Sequence, residues 1–188
     1  MNRVLIGCAC AVAATALAVG MISTGQAAPA AAPAAAAAAG GKVDYTKITP
    51  VDLVKQTPKG KLKNPYQDTD ADAVKAGQGF LASYSCSGCH GGGGGGGMCP
   101  PLTNDTWVYD GDDDTLFRLV TLGSDELQKQ GYMRKGHENV VGPMPPMGTI
   151  IKSADDLWKI LAFVRSRYDG DPNYKFGTPE SEKAPPSD

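Results

Sequence analysis

The 188-residue sequence lacks both an excess of basic side chains and a long apolar run. Its 18 lysines and arginines stand against 20 aspartates and glutamates, and its formal net charge is −2 at neutral pH. Proteins that bind nucleic acid carry clustered positive charge, so this balance argues against such a partner. The one sustained apolar stretch, residues 4–19, is too short and too rich in alanine for a typical membrane span.

The first 27 residues have instead the composition of a secretory signal. Arg3 is the positive start, residues 4–19 are the apolar stretch, and Gly25-Gln26-Ala27 is an acceptable small-x-small cleavage site. The leader therefore predicts export to the periplasm. The alternative is a retained leader that anchors the chain in the membrane, because a flexible Ala/Pro linker follows it directly.

Glycine, alanine and proline are unevenly distributed, and their distribution divides the remaining chain into three parts. Residues 28–69 begin as an Ala/Pro-rich linker and continue without sustained periodicity, which predicts an extended arm. Helical periodicity is confined to residues 70–168, the predicted domain, and residues 169–188 are a polar, Pro/Gly-rich tail. A domain this small has a marginal hydrophobic core by itself.

The clearest helical patterns lie at the two ends of this domain. Residues 71–85 place apolar side chains at three- and four-residue spacing, and Asp70 is a natural N-cap. The last helix is predicted to start at Ser153, with Asp156 three residues later as in a capping box. Shorter helices are predicted over residues 116–122 and from Ser124.

The chemistry is concentrated in Cys86-Ser87-Gly88-Cys89-His90, directly after the first of these helices. Two cysteines two residues apart, followed at once by histidine, have the spacing of c-type haem attachment. Each thiol adds across one vinyl group of the porphyrin, and the imidazole becomes the proximal iron ligand. Pro100 is placed so that its carbonyl can accept the ring proton of His90. The motif therefore predicts one covalent haem c, and a buried porphyrin would supply the missing apolar surface.

Two other interpretations of the cysteines have to be considered. A thioredoxin-like redox pair would need a strand–helix–strand surrounding, which the sequence does not have. A zinc-bound structural module could use Cys99 and His137 to complete a Cys3His set. Export favours haem, because zinc–thiolate sites belong mostly to intracellular proteins.

Cys99 is the odd thiol that remains once the leader is removed and two cysteines are joined to haem. The simpler interpretation is a small apolar residue packed beside the porphyrin. The alternative is a disulfide-linked dimer.

Two loops could in principle bind ions. The seven glycines of residues 91–97 predict a flexible loop, and a phosphate-binding loop is excluded because no Gly-Lys-Ser/Thr follows. The second loop is an acidic turn formed by Asp110, Asp112, Asp113 and Asp114. Carboxylates at a helix N-terminus explain this turn, and a calcium ion is the alternative.

A second chemical centre is the proline-rich loop of residues 142–148, which carries Met144 and Met147. Two methionines in a rigid loop are unusual, because methionine normally fills irregular gaps in a core. Either thioether could close the sixth coordination position of the iron, with His137 as the substitute ligand. A filled position predicts an electron carrier, whereas a haem enzyme or gas sensor needs an open one.

The order of these segments resembles the class I cytochromes c. A helix, a CxxCH motif, a Pro-x-Leu segment, a methionine loop and a terminal helix follow one another as in that family. The resemblance implies an all-α fold, in which a small helical shell surrounds one covalent haem and carries extended arms at both ends. It also implies that the first and last helices cross, at a contact that involves Gly77, Phe80 and a residue such as Phe163.

The same resemblance implies the roles of individual residues. His90 and Met144 would be the iron ligands, since a ligand followed by proline is the habit of class I, and Met147 is the alternative. Pro100, Leu102 and Trp107 would contact the haem. The implied function is one-electron transfer with no enzymatic turnover.

Two segments are similar to the cytochrome c-L group of methanol-oxidising bacteria. They are residues 100–105 with Trp107-Val108-Tyr109, and Gly142-Pro143-Met144. The resemblance implies a PQQ-dependent methanol or alcohol dehydrogenase as electron donor, and a smaller cytochrome c or a terminal oxidase as acceptor. The chain departs from the group in its glycine run, in Cys99 and in an insertion over residues 124–141, which could alter docking on the dehydrogenase.

Overall fold

The computed structural model describes residues 43–103, 105, 107–135 and 142–178. These residues form helices and loops and contain no β-strand, so the predicted all-α class is confirmed. The α-helices are α1 (Pro50–Gln56), α2 (Ala71–Ser83), α3 (Cys86–His90), α4 (Asp113–Leu122), α5 (Ser124–Lys129) and α6 (Ala154–Ser166). A 3₁₀-helix, Pro172–Tyr174, follows α6.

Several predictions concern residues outside this description. The residues concerned are the leader of residues 1–27, the Ala/Pro-rich start of the linker, His137 and the end of the tail from residue 179. In the described part of the chain, no helix is long and apolar enough to cross a membrane.

Helices α2 and α6 pack across each other, as the resemblance implies for the first and last helices. Each begins at its predicted cap: the side chain of Asp70 accepts a hydrogen bond from the Ala73 amide, and that of Ser153 accepts one from the Asp156 amide. At the crossing, Gly77 of α2 lies directly against the backbone of α6. The absence of a side chain at Gly77 lets the two helices approach this closely.

The centre of the core is Trp158, which is fully buried in α6. Its ring centroid lies 4.2 Å from that of Phe117 in α4 and 6.3 Å from that of Tyr45. Phe117 is fully buried as well. The sequence pattern places Trp158 only at the flank of the apolar stripe of α6; it is central because α4 and the segment before α1 cover that flank.

The segment before α2 is not the extended arm that its sequence predicts. It contains α1, in which Thr49 accepts a hydrogen bond from the Asp52 amide and proline occupies the first position. Leu53 and Val54 of α1 and Leu62 beyond it are buried in the core. A seven-residue helix is too short to show helical periodicity in the sequence. Its apolar residues become part of the core only because α4 and α6 pack on them.

Candidate functional site

A cavity of about 500 Å³ opens among α2, α4, α5, α6 and the loops that follow α3 and precede α6. Its volume falls in the usual range for a cofactor site. Apart from the substitute ligand His137, which lies outside the described residues, every residue that the sequence assigns to haem or iron lines this cavity, although these residues are far apart in the chain. They are Cys86, Cys89, His90, Pro100, Leu102, Trp107, Met144 and Met147.

The two cysteines and the histidine share one helical turn. Helix α2 ends at Ser83, and Ser85 adopts a left-handed conformation with φ of 62°. The helix is therefore interrupted before α3 begins. The sequence pattern predicts an uninterrupted helix to residue 85, which the structure corrects by two residues. Positions three and four residues apart lie on one face of a helix, so Cys86, Cys89 and His90 line the cavity together.

The ring of His90 is oriented by the residue that the sequence indicates. Its Nδ1 lies 2.8 Å from the carbonyl oxygen of Pro100. Because a carbonyl only accepts, Nδ1 carries the proton, and Nε2 is left with the free lone pair that an iron ligand needs. The predicted contact is present, and it selects the tautomer suited to iron.

The glycine run folds back against α3. The Gly96 amide donates to the carbonyl of His90 at 2.9 Å, and the Cys99 amide donates to that of Cys89 at 3.2 Å. Gly91 ends α3 with φ of 76°, and a Cβ there would lie 2.7 Å from the Gly96 oxygen. Glycine is therefore required at Gly91 for the loop to return toward the cavity.

Both loop methionines line the cavity, and a different helix holds the backbone of each. The backbone of Met144 is hydrogen-bonded to Ser124 of α5. The Met147 amide donates to the carbonyl of Val120 in α4 at 2.9 Å. Each thioether is half-buried and lines the cavity.

Trp107 provides a test of whether the cavity suits a haem. Its indole Nε1 is buried and has no hydrogen-bond partner among the described residues. An unsatisfied buried donor costs about 1–3 kcal/mol, so an acceptor from the occupant of the cavity would relieve it. A haem brings two propionates, which are such acceptors, and an apolar ring that matches the leucine-lined walls. The residues present therefore fit a haem.

Cys99 lies beside the attachment motif and lines the cavity half-buried. Burial raises the pKa of the Cys99 thiol, and the neighbouring thiol of Cys89 raises it further. Burial likewise raises the pKa of Cys86. All three described cysteines are free thiols. The position of Cys99 supports the interpretation as a packing residue beside the porphyrin.

The described residues contain no group of three or more His, Cys, Asp or Glu side chains that could hold a metal ion. The zinc alternative depends on His137, which lies outside the described residues.

The calcium site predicted as an alternative at the acidic turn is not supported. Each of its four carboxylates is already engaged by a group of the protein itself. The partners are Lys135 for Asp110, the Thr115 amide for Asp112, Arg165 for Asp113 and Arg118 for Asp114. The favoured interpretation of the turn is correct, because Asp112 is the N-cap of α4.

Asp114 also ties distant segments to α4. Its buried carboxylate accepts hydrogen bonds from Arg118 at 2.8 Å, from the Leu62 amide at 3.1 Å and from the Tyr132 hydroxyl at 2.9 Å. Burial alone would raise the pKa of Asp114, but these donors outweigh it and hold the pKa below its usual range. The carboxylate therefore stays ionised in the folded protein.

Helix α5 contributes to the cavity in a way that the sequence analysis does not anticipate. Ser124 and Gln128 line the cavity, and the side-chain amide of Gln128 donates to the Tyr109 hydroxyl at 2.8 Å. The sequence signals the start of α5 but not the face that it presents to the site.

The comparison with protein families matches residues 72–164 to the family described as cytochrome C oxidase, cbb3-type, subunit III. These residues thus match a c-type cytochrome domain, in agreement with the resemblance that the sequence motifs carry. Among solved structures, the chain is similar to cytochrome CL from the marine methylotrophic bacterium Methylophaga aminisulfidivorans. The two share 25% identity with a TM-score of 0.47, over 69% of this chain and 82% of that one. No curated protein matches. The matched span of the cytochrome domain runs from α2 into α6, so it includes the CxxCH motif and both loop methionines.

Proposed function

We propose that this cytochrome is an exported, periplasmic carrier of single electrons with one covalent haem. The observation that carries the proposal is the convergence on one apolar cavity of the α3 motif, with His90 held by Pro100, and of the methionine loop. In this proposal, Cys86 and Cys89 form the thioether bonds, and His90 and Met144 are the iron ligands.

A haem held in this way supplies a one-electron iron couple. The residues of the cavity orient the iron ligand and form the surroundings of the haem. The Pro100 carbonyl keeps the imidazole in one tautomer, and Leu102 contributes to the apolar wall. The indole of Trp107 would donate to a propionate of the bound haem. With His90 and Met144 as ligands, other molecules would be kept off the iron, which would suit electron transfer and not a haem enzyme or gas sensor.

The haem proposal is tested by intact mass of the protein expressed with its leader in a host that matures c-type cytochromes. We expect the mass of the chain cut after Ala27 plus one haem that survives denaturation, and a haemochrome spectrum in pyridine. Cys86→Ala and Cys89→Ala should each remove one thioether bond. A mass equal to the bare chain, or to the chain plus zinc, would contradict the proposal. An intact leader, with the protein in the membrane fraction, would contradict release into the periplasm.

For the electron donor we propose a PQQ-dependent methanol or alcohol dehydrogenase, with a smaller cytochrome c or a terminal oxidase as acceptor. The support comes from the c-L-like segments around Trp107 and Met144, both of which line the cavity. Near the cavity, Met98 is 71% exposed beside Cys99, and it offers an apolar contact to a partner.

Stopped-flow reduction of the ferric cytochrome by a methanol dehydrogenase tests the donor. We expect reduction that slows with added salt, because charges around the contact steer encounter. Met98→Gln should slow reduction. Val43→Gln is the control, because Val43 is an apolar residue that is 47% exposed and neither it nor the adjacent Asp44 lines the cavity. If another dehydrogenase reduces the haem and the methanol enzyme does not, the donor assignment is wrong and the carrier function stands.

A further inference from the structure

Ser124, the first residue of α5, is bound to Met144 by two hydrogen bonds of opposite direction. The Met144 amide donates to the Ser124 hydroxyl oxygen at 3.0 Å. The Ser124 amide donates in turn to the Met144 carbonyl, also at 3.0 Å. Ser124 is only 5% exposed, so water competes little for these bonds. Both backbone polar groups of Met144 are thereby held by one residue.

The Ser124 hydroxyl is not needed by its own helix. A side chain that caps a helix start belongs to the N-cap residue, which precedes the first helical residue. Helix α5 has Gly123 as its N-cap and no side-chain cap bond. The Ser124 hydroxyl instead binds the methionine loop, at Met144 twenty residues further along the chain.

Gly123 lets the loop come close enough for these bonds. Its φ is 79°, and a Cβ there would lie 2.8 Å from the Met144 oxygen and 2.8 Å from the Pro146 nitrogen. The Gly123 amide also donates to the carbonyl of Leu119 at 2.9 Å, which fixes the junction to α4. The loop thus lies directly against the backbone between α4 and α5.

We propose that Ser124, with Gly123 beneath the loop, is a positioning residue for the axial methionine. The serine holds the Met144 backbone so that the thioether stays in the haem cavity and resists replacement by other ligands. The inference rests on the proposed ligation by His90 and Met144. Residues 124–141, the segment that departs from the c-L group, would then contribute their first residue, Ser124, to the haem site.

The test compares Ser124→Ala with Ser124→Thr, which keeps the hydroxyl, and with Glu126→Ala. Glu126 is on the same helix and about half exposed, and its carboxylate contacts Lys129 and the side-chain amide of Gln130 at the surface. The first measurement is the affinity of the ferric holoprotein for imidazole, which competes with the methionine sulfur. The second is the hydrogen-exchange rate of the Met144 amide.

Loss of one hydrogen bond shifts an equilibrium by about fivefold. We therefore expect Ser124→Ala to bind imidazole about five times more tightly and to exchange the Met144 amide faster. Ser124→Thr and Glu126→Ala should stay close to the original protein. Gly123→Ala, which displaces the loop itself, should have a larger effect than Ser124→Ala while the haem remains attached.

The outcomes separate this inference from the proposed function. If Met144→Ala removes the sulfur–iron absorption band but Ser124→Ala leaves imidazole affinity unchanged, the positioning role is wrong and the electron carrier stands. If Ser124→Thr behaves like Ser124→Ala, the hydroxyl is not the cause and the role is again wrong. If Met144→Ala keeps the band, both Met144 ligation and the inference are overturned.

Discussion

Gly77 of α2 and Lys159 of α6 approach each other so closely that no side chain fits between them. A Cβ on Gly77 would lie 1.9 Å from the Lys159 carbonyl oxygen and 2.5 Å from its carbonyl carbon. The obstacle is backbone, which cannot rotate away. This contact sets the spacing between the helix that leads into the haem-attachment motif and the helix that carries the core tryptophan.

Gly77→Ala is therefore expected to destabilise the cytochrome domain. Forcing a methyl group into packed backbone should lower the free energy of unfolding by roughly 3 kcal/mol, measured by urea unfolding. Gly79→Ala is the matched control on the same helix, because a Cβ there meets nothing within 4 Å. It should raise stability by about 0.5–1 kcal/mol, since alanine favours helix over glycine. Equal effects of the two substitutions would contradict the close approach.

Replacement of the two loop methionines decides which of them binds iron. Met144→Ala should abolish the near-infrared sulfur-to-iron band of the ferric protein, open the iron to carbon monoxide and lower the potential. These changes follow because a thioether ligand favours ferrous iron and fills the sixth position. Met147→Ala should change these properties little. The reverse pattern would make Met147 the ligand.

Acid should unfold the protein partly through Asp114. The pKa of this carboxyl in the folded protein lies below its usual range. Its contribution to stability is therefore complete above the unfolded pKa of about 3.9. That contribution is lost as the pH falls through the lowered pKa of the folded state. Asp114→Asn should flatten this acid loss. It should also lower stability at neutral pH by about 3 kcal/mol, because Arg118 is left buried without its partner.

Urea unfolding between pH 3 and pH 7 measures both effects of Asp114→Asn. Asp72→Asn removes an exposed carboxylate from the first turn of α2 and is the control for the change in charge. If the two variants lose stability with the same slope below pH 4, Asp114 is not the acid-sensitive group.

Cys99 should remain a thiol in the mature protein. It is half-buried beside Cys89, and because its pKa is raised, little of the reactive thiolate is present near neutral pH. A non-reducing gel should show a single monomer band, and Cys99→Ala should keep its haem. A dimer band that disappears with reductant and is missing from Cys99→Ala would show an intermolecular disulfide instead.

The sequence by itself determined the features that depend on neighbouring residues. One helical turn suffices to bring Cys86, Cys89 and His90 to a common face, and the caps at Asp70 and Ser153 act within three residues. The spacing of such groups is visible in the chain before it folds. The haem-attachment motif and the starts of the two main helices could therefore be predicted.

Tertiary structure alone decided the features that join distant segments. The residues of α1 became core only when α4 and α6 covered them. The carboxylates of the acidic turn, for which the sequence left a calcium ion as the alternative, were engaged by side chains such as Arg165, fifty-two positions from Asp113. Ser124 came to hold Met144 because the packing of α4, α5 and the methionine loop placed their backbones side by side. No local pattern encodes such contacts, since they arise from the closest packing that the whole chain can reach.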